Sequence, residues 1–389
     1  MKKILCIFLA ALLMVGCLAG CGDQAPAGNN TPAENNPPAG NNPPAENNTP
    51  AENNPPAENP DADPFAGMDE IEMIYISTRN EIADAAHAEW LDRITENTGG
   101  KVTFEKYLNS SLVNNTRDIP DALLSGIADI AQLNINNYPG MFPQNFNIFS
   151  IPFTGITEDC RLDVIDYMYD KYPQLEEEFT KNGLKLIGWN LTNSNNLGVK
   201  LGKEYTSIAD IKNVKITGSS EPEVDILAAA GAVPVTVIFP EIYQSLEKNV
   251  INGFTNQSAP VFAMSFYDHI DNWVVFGENS GLLTNSVAIC MSLEKWNSLP
   301  DAVKAVFEEA EPERAAKETA TQQGFDAMLK KTLEESGKYY VVLNDEQLDE
   351  WRPFVQPTVD RILSEMEASY PGFGDMYADL CDYVANYGK

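Results

Sequence analysis

The chain has 389 residues, with 26 basic and 57 acidic side chains and a formal net charge of −31 at pH 7. Without the two lysines and seven acids that precede residue 64, 24 basic and 50 acidic residues remain. A folded part this acidic argues against nucleic acid and anionic lipid as partners. The roughly 325 residues after this point are enough for two lobes with separate cores.

Residues 1–20 read as a secretory signal. Lys2 and Lys3 precede an apolar stretch that is shorter than the ~20 residues of a membrane-spanning helix. The run Leu18-Ala19-Gly20-Cys21 resembles a bacterial lipobox, in which the cysteine receives a diacylglycerol and becomes the mature N-terminus. We therefore expect a protein anchored by lipid on Cys21 to the outer face of the cell membrane. Cys17 is a weaker rival, and ordinary cleavage nearby is the alternative.

Residues 21–64 repeat a hexad of Asn, Pro, Ala and Glu or Gly and contain almost no apolar side chains. Such a segment buries too little surface to offset the entropy of ordering it, so we expect a disordered linker. It either lifts the following domain off the membrane or is filler with no length requirement.

The first predicted elements after the linker alternate strand and helix. Ile71–Ile76 is β-prone, and apolar residues spaced by four from Ile82 to Ile94 predict a helix that stops at Gly99-Gly100. Strand-like runs at 102–104 and 128–131 enclose a short helix with Pro120 in its first turn.

A second alternation follows. The predicted strands are 184–187, 214–216, 233–235 and 250–251, with helices starting near Ser220 and Pro240. From Pro300 onward the pattern is helical, interrupted at 339–342. Two consecutive α/β units predict two parallel-rich sheets with helices on their faces.

No catalytic or metal-binding pattern stands out. The only histidines, His87 and His269, are far apart and lack metal-ligand spacing, and phosphate loops and nucleophile elbows are missing. Cys160, Cys290 and Cys381 are widely separated and odd in number, so buried thiols are expected, although one pair could bridge. We predict neither enzymatic activity, nor a cofactor, nor a metal.

From Ile71 onward the chain resembles the DctP-type solute-binding proteins of tripartite ATP-independent periplasmic (TRAP) transporters. The resemblance rests on several motifs in a fixed order: Leu124–Ile130, Phe142-Pro143 with Ile151-Pro152-Phe153, Ile208–Ile216, Gly231–Val235, Phe239–Leu246 and Asn249–Asn256. It implies an α/β, two-lobed, periplasmic-binding-protein-like fold with a long helix spanning both lobes.

The resemblance also implies boundaries and partners. Within 65–389, lobe I is expected at about 69–192 and 282–315, and lobe II at about 193–281 and 316–389. A solute bound between the lobes shifts the receptor from open to closed, and the closed form docks on TRAP membrane carrier subunits. A receptor of the same fold serving a membrane sensor is one alternative, and an exported hydrolase is another.

The departures from the family concern its arginines. Thr217 stands where the family usually has the arginine that grips a ligand carboxylate, and Asn193–Asn196 occupy the region of a second one. The expected ligand-binding residues are Thr217, Asn256, Asn193, Asn195, Trp189, Phe153, Tyr243 and Asn134. The asparagines are equally typical of turns, and the aromatic residues of cores.

A pocket rich in amides and hydroxyls favours a neutral or polar multi-hydroxyl or heterocyclic solute over a simple C4 dicarboxylate. The alternative is the family's usual organic acid, gripped by an arginine from elsewhere. Arg79 and Arg117 are the candidates because they lie near predicted strand ends.

Overall fold

The computed structural model describes residues 63–278 and 280–389; Cys21, the expected signal segment and nearly all of the expected linker lie outside them. In chain order the strands are β1 (Ile71–Ile76), β2 (Val102–Tyr107), β3 (Ile130–Asn134), β4 (Leu184–Leu191), β5 (Asn196–Val199), β6 (Lys215–Thr217), β7 (Val233–Pro234), β8 (Gly253–Asn256), β9 (Asn272–Val275), β10 (Ser286–Ser292) and β11 (Tyr339–Val342).

The helices lie between the strands and after them. They are α1 (Ala85–Asn97), α2 (Ile119–Leu124), α3 (Pro143–Ser150), α4 (Arg161–Lys171), α5 (Gln174–Lys181), α6 (Glu221–Ala229), α7 (Ile242–Glu247), α8 (Ser258–Ala263), α9 (Leu293–Ser298), α10 (Asp301–Glu335), α11 (Asp345–Ser369) and α12 (Phe373–Asn386).

The strands form two sheets, one in each lobe. The lobe I sheet has the order β2-β1-β3-β10-β4, and the lobe II sheet has the order β11-β9-β5-β8-β6-β7. In lobe I, β1 is parallel to β2 and β3, whereas β10 is antiparallel to both of its neighbours. In lobe II, β5 is likewise antiparallel to β8 and β9. Each sheet therefore holds one internal strand that arrives from the other lobe.

Two segments cross between the lobes side by side. One is 192–195, which connects β4 to β5, and the other comprises 276–278 and 280–285, which lie between β9 and β10. Backbone hydrogen bonds join them, from Thr192 N to Asn285 O at 2.8 Å and from Asn195 N to Leu283 O at 2.8 Å. We call these two segments the hinge.

Helix α10 is the third connection. It contacts α1 and β4 in lobe I, and α8 and β11 in lobe II. Its core-facing positions bury Val303, Phe307 and Ala310 against lobe I, and Leu329 and Leu333 against lobe II. The predicted two-lobed α/β fold with a long helix spanning both lobes is confirmed.

Local differences from the sequence predictions have simple causes. The first strand is found as predicted, but the helix begins at Ala85 because residues 81–84 form a turn. The predicted strand at 250–251 is wrong. Asn249 adopts a positive φ of 54° in a turn, and β8 starts only at Gly253. The range 316–389 was assigned to lobe II, yet α12 contacts α3 and α4 of lobe I.

Candidate functional site

The cleft lies where the sheets of the two lobes end. In open α/β sheets, ligands bind beyond the carboxyl ends of the parallel strands, and β1, β3, β6 and β8 end here. A cavity of about 190 Å³ opens between the lobes. Its lining consists of Thr78, Arg79, Thr116, Ile119, Gln132, Asn134, Asn137, Tyr138, Thr192, Gln257, Pro260 and Val287.

Arg79 is the only cationic side chain among these lining residues. It follows β1, and its side chain is 20% exposed. Its Nη1 donates to Glu318 Oε1 at 2.5 Å and to the Ala83 carbonyl oxygen at 3.3 Å. Within the described part of the chain, its Nε and Nη2 make no hydrogen bond to protein. That edge of the guanidinium is free to hold an acceptor in the cavity.

A buried charged layer lies behind Arg79. Glu318 on α10 is buried, which favours its protonated form, but the charge of Arg79 prevails and lowers the pKa of Glu318 to about 2. Asp84 is buried as well, and its carboxylate accepts, among the described residues, only from hydroxyl groups: Ser77 Oγ at 2.8 Å and the Tyr75 hydroxyl at 3.0 Å. Burial raises the pKa of Asp84 to about 6. Glu318 is thus the anion that anchors Arg79.

His87 completes this layer and is neutral. Burial, followed by the charge of Arg314, lowers its pKa well below the usual value. Arg314 Nη1 lies 3.4 Å from His87 Nε2, so that nitrogen serves as the acceptor and Nδ1 carries the hydrogen. Nδ1 lies 3.7 Å from Asp84 Oδ1 and 3.8 Å from Glu318 Oε2. The histidine is therefore a structural part of the cleft floor.

Asn193 and Asn195 are placed in the hinge, and both are buried. Asn193 Oδ1 accepts from Arg161 Nη1 at 2.9 Å, and its Nδ2 donates to Asp326 and to the Gln322 carbonyl oxygen. Asn195 Nδ2 donates to Ser219 Oγ at 2.7 Å and to Glu223 Oε1 at 2.9 Å. Both amides already have protein partners, and neither lines the cavity.

Thr217 and Asn256 end adjacent strands of lobe II. Thr217 is the last residue of β6, and Asn256 is the last residue of β8. Both are buried, and Asn256 Oδ1 accepts from the backbone of Gln257, which does line the cavity. Neither Thr217 nor Asn256 is itself among the residues that line the cavity.

The aromatic candidates lie elsewhere. Trp189 packs in the lobe I core against Phe149, Tyr169 and Phe179, with ring centroids 5.8, 5.2 and 5.7 Å away. Phe153 packs on Phe276 of the hinge, and Tyr243 packs on His269 in lobe II.

Among the candidates, Asn134 lines the cavity at the end of β3. Of the two arginines considered, Arg79 lines it and Arg117 is exposed outside it. The sequence reasoning missed Gln132, Thr192 and Gln257. Gln132 had a detectable signal, because it is a polar residue between the apolar residues Ala131 and Leu133 of strand β3.

Three further features of the described residues concern metal ligands, cysteines and membrane spans. No three His, Cys, Asp or Glu side chains there are grouped so that they could bind a metal. Cys160, Cys290 and Cys381 are all unpaired. None of the helices found in 63–278 and 280–389 has the length and apolar character of a membrane span. Two lobes joined by a hinge, with a polar cavity between them, define a receptor that encloses a small solute.

The family follows from comparison with known sequences. The profile of the bacterial extracellular solute-binding proteins, family 7, matches residues 74–366, and the chain belongs to this family. The C4-dicarboxylate-binding periplasmic protein DctP of Vibrio cholerae is 24% identical over 282 residues, which cover 71% of this chain and 80% of that protein.

Solved structures agree on the fold. A TRAP solute-binding protein from a marine metagenome, in complex with 3-hydroxybenzoate, superposes with a TM-score of 0.72 at 18% identity, covering 82% of this chain and 100% of that one. A TRAP solute-binding protein of Chromohalobacter salexigens with bound D-glucuronate gives 0.67 at 18% identity, covering 80% and 99%. The chain is an extracytoplasmic solute-binding receptor of the TRAP type, which binds a small solute and works with TRAP membrane components; it is not an enzyme.

Proposed function

We propose that the solute is a small polar molecule with no more than one carboxylate, held by the free edge of Arg79. The observation that carries this proposal is that Arg79 is the one cation of the cavity lining and that its Nη1 is already committed to Glu318. Nε and Nη2 form the parallel pair of donors that a single carboxylate accepts. The proposed solute is polar, as expected from the sequence, and it carries one negative charge.

The remaining lining suits hydroxyls and carbonyls. Gln132, Asn134, Asn137 and Gln257 carry neutral amides, and the hydroxyl groups come from Thr78, Thr116, Thr192 and Tyr138. A second carboxylate would lose its water and meet no second cation among these residues, which is costly in a closed cleft. Gln257 supplies the lobe II side of the proposed contact set, whereas Thr217 and Asn256 are not among the lining residues.

The ligands named for the relatives differ in their number of carboxylates. The marine protein was crystallised with 3-hydroxybenzoate and the Chromohalobacter protein with D-glucuronate, and each of these ligands has one carboxylate. The Vibrio relative is named for C4-dicarboxylates. We therefore expect this chain to resemble the first two in ligand charge.

Calorimetry tests the ligand charge. The panel is 3-hydroxybenzoate, D-glucuronate, succinate, malate and neutral sugars and nucleosides, titrated into the wild type and Arg79→Met. We expect a monocarboxylate to bind tightest and to lose about tenfold to a hundredfold in affinity in Arg79→Met, because charge-assisted hydrogen bonds contribute ~1.5–3 kcal/mol each.

Arg117→Met is the matched control, since Arg117 is exposed outside the cavity, and it should bind like the wild type. Tightest binding of succinate or of a neutral sugar would contradict the single-carboxylate proposal, as would an Arg79→Met protein of unchanged affinity.

The lipid anchor is a second part of the proposal. Leu18-Ala19-Gly20 immediately before Cys21 motivates it. Cys21→Ala should release the protein into the medium while solute affinity is unchanged. Retention of Cys21→Ala in the membrane, together with release of Cys17→Ala, would assign the lipid to Cys17 instead.

A further inference from the structure

Helix α10 carries three polar side chains on one stripe between the lobes. Glu318, Gln322 and Asp326 are spaced by four residues, so they lie above one another on the same helix face. Glu318 faces Arg79 in the cleft wall, and Asp326 accepts from Asn193 in the hinge. Gln322 lies between them and is buried.

Gln322 contacts both Glu318 and the hinge through one planar amide. Its Nε2 donates to Glu318 Oε1 at 2.9 Å, the same oxygen that accepts from Arg79 Nη1. Its Oε1 accepts from the backbone N–H of Asn193 at 2.6 Å and from Arg161 Nη1 at 3.4 Å. A shift of Nε2 must move Oε1 because the amide group is rigid.

Asn193 extends the connection to lobe II. Its Nδ2 donates to the backbone carbonyl oxygen of Gln322 at 2.8 Å and to Ser258 Oγ, in the first turn of α8, at 3.3 Å. The chain of hydrogen bonds therefore runs from the cavity wall through Glu318 and Gln322 to the hinge backbone, and from there to lobe II.

We propose that Gln322 is a positioning residue that links occupancy of Arg79 to the conformation of the hinge at Asn193. This inference rests on the proposed role of Arg79 in holding the solute. A solute carboxylate that takes up the free edge of Arg79 draws the guanidinium toward the cavity. The hydrogen bond from Arg79 Nη1 to Glu318 Oε1 then weakens, and the one from Gln322 Nε2 to the same oxygen strengthens. Because the Gln322 amide moves as a unit, the hydrogen bond from the Asn193 N–H to Gln322 Oε1 changes as well. Solute binding at Arg79 is thereby coupled to closure at the hinge, because both change the position of the Gln322 amide.

The test measures hydrogen exchange at the backbone N–H of Asn193 in the full chain without solute. Gln322→Met removes both amide contacts and should speed exchange at Asn193 about fivefold or more. Arg79→Met touches neither Asn193 nor Gln322, yet should speed the same exchange about two- to tenfold. In the double variant, Arg79→Met should add nothing to Gln322→Met.

Two further variants separate coupling from loss of structure. Gln323→Met, the next residue on α10 and half-buried, should leave Asn193 exchange unchanged. Gln322→Glu keeps an acceptor for the Asn193 N–H but replaces the donor to Glu318. It should keep Asn193 protected and make that protection insensitive to Arg79→Met.

An Arg79→Met protein with wild-type exchange at Asn193, or additive effects in the double variant, overturns the coupling. A second arm adds saturating D-glucuronate or 3-hydroxybenzoate, whichever binds the wild type. Further protection of Asn193 in the wild type but not in Gln322→Met supports the inference, and equal protection in both overturns it. A wild type that binds neither probe contradicts the single-carboxylate proposal instead, while the solute-free arm still decides the coupling.

Discussion

Two buried carboxylates a short distance apart have opposite acidities because their partners differ. Glu318 faces a guanidinium, and Asp84 faces two hydroxyls. Neutral donors do not repay the loss of water around a carboxylate as a cation does. The cleft floor therefore holds one strong acid and one weak acid beneath Arg79.

Asp84 should make the folded state less stable as the pH rises from about 4 to about 6. The raised pKa means that the folded state holds the Asp84 proton in a range where the unfolded state has released it. Asp84→Asn keeps an oxygen for Ser77 and Tyr75 but has no charge. At pH 7.5 its free energy of unfolding should exceed that of the wild type by up to ~2 kcal/mol, and the difference should vanish near pH 4.

Urea unfolding across this pH range measures the effect. Asp92→Asn is the control because Asp92 is largely exposed and pairs with Lys106. An Asp84→Asn protein that is less stable than the wild type by the same amount at every pH would show that the charge of Asp84 is not disfavoured.

For single residues, the sequence predicted that polar side chains lie near the cleft, but not which of them face the cavity. Asn134 was expected in the cavity and lines it, whereas Asn193 and Asn195 have their amides bound to α10 and to Glu223. Their partners lie 129 and 28 residues away, so no local pattern reveals them. Trp189 is similar: the predicted strand ended at residue 187, and the sheet face that Trp189 occupies depends on the packing of α3 to α5.

Among the elements, the hinge is held by a close backbone approach. An added Cβ on Gly281 would clash with the side chain of Ser194 and lie 2.9 Å from the Asn195 carbonyl oxygen. The two crossing segments are thus in contact at a point where only glycine fits.

Gly281→Ala should lower the free energy of unfolding by ~1–3 kcal/mol, since the backbone of 194–195 has to move to accommodate the methyl group. Gly324→Ala is a matched control on α10, where a Cβ meets nothing within 4 Å. It should raise stability by ~0.5–1 kcal/mol through helix propensity alone. Thermal unfolding of both variants decides this; a stabilised Gly281→Ala protein would refute the close approach.

Local pattern predicted the elements well where period and boundaries agreed. The β-prone run Ile71–Ile76 is β1, and the helical pattern after Pro300 is α10. The error at 250–251 arose because two β-branched residues in a turn look like a strand, while the strand itself begins with Gly253. Turn geometry at Asn249 overrode β propensity there.

The whole molecule should close when solute binds. Both lobes contribute to the cavity lining, Arg79 from lobe I and Gln257 from lobe II, so a solute in contact with both favours the closed form. Small-angle scattering of the Cys21→Ala protein, with and without the bound monocarboxylate, should give a smaller radius of gyration in the complex. Equal radii at saturation would contradict closure, and Arg79→Met at the same solute concentration serves as the unbound control.

At the scale of the whole fold, the resemblance to TRAP solute-binding proteins predicted what the local patterns could not. Alternating strands and helices gave the α/β class, but not the exchange of β5 and β10 between the sheets. The course of α12 back to lobe I also depends on contacts distant in sequence. Such pairings leave no periodic signal in the sequence, so they are known only from the structure of a relative or from that of the protein itself.

The exchanged strand β10 also dictates an order of assembly. It lies between β3 and β4, so the lobe I sheet has a gap at its middle until residue 292 is available, although its other four strands are complete by residue 191. A chain that emerges from its N-terminus must carry unpaired edges on β3 and β4 while about 100 further residues appear. Lobe I therefore matures late, after most of lobe II has been made, and a nascent chain stopped before Ser286 holds no finished lobe I sheet.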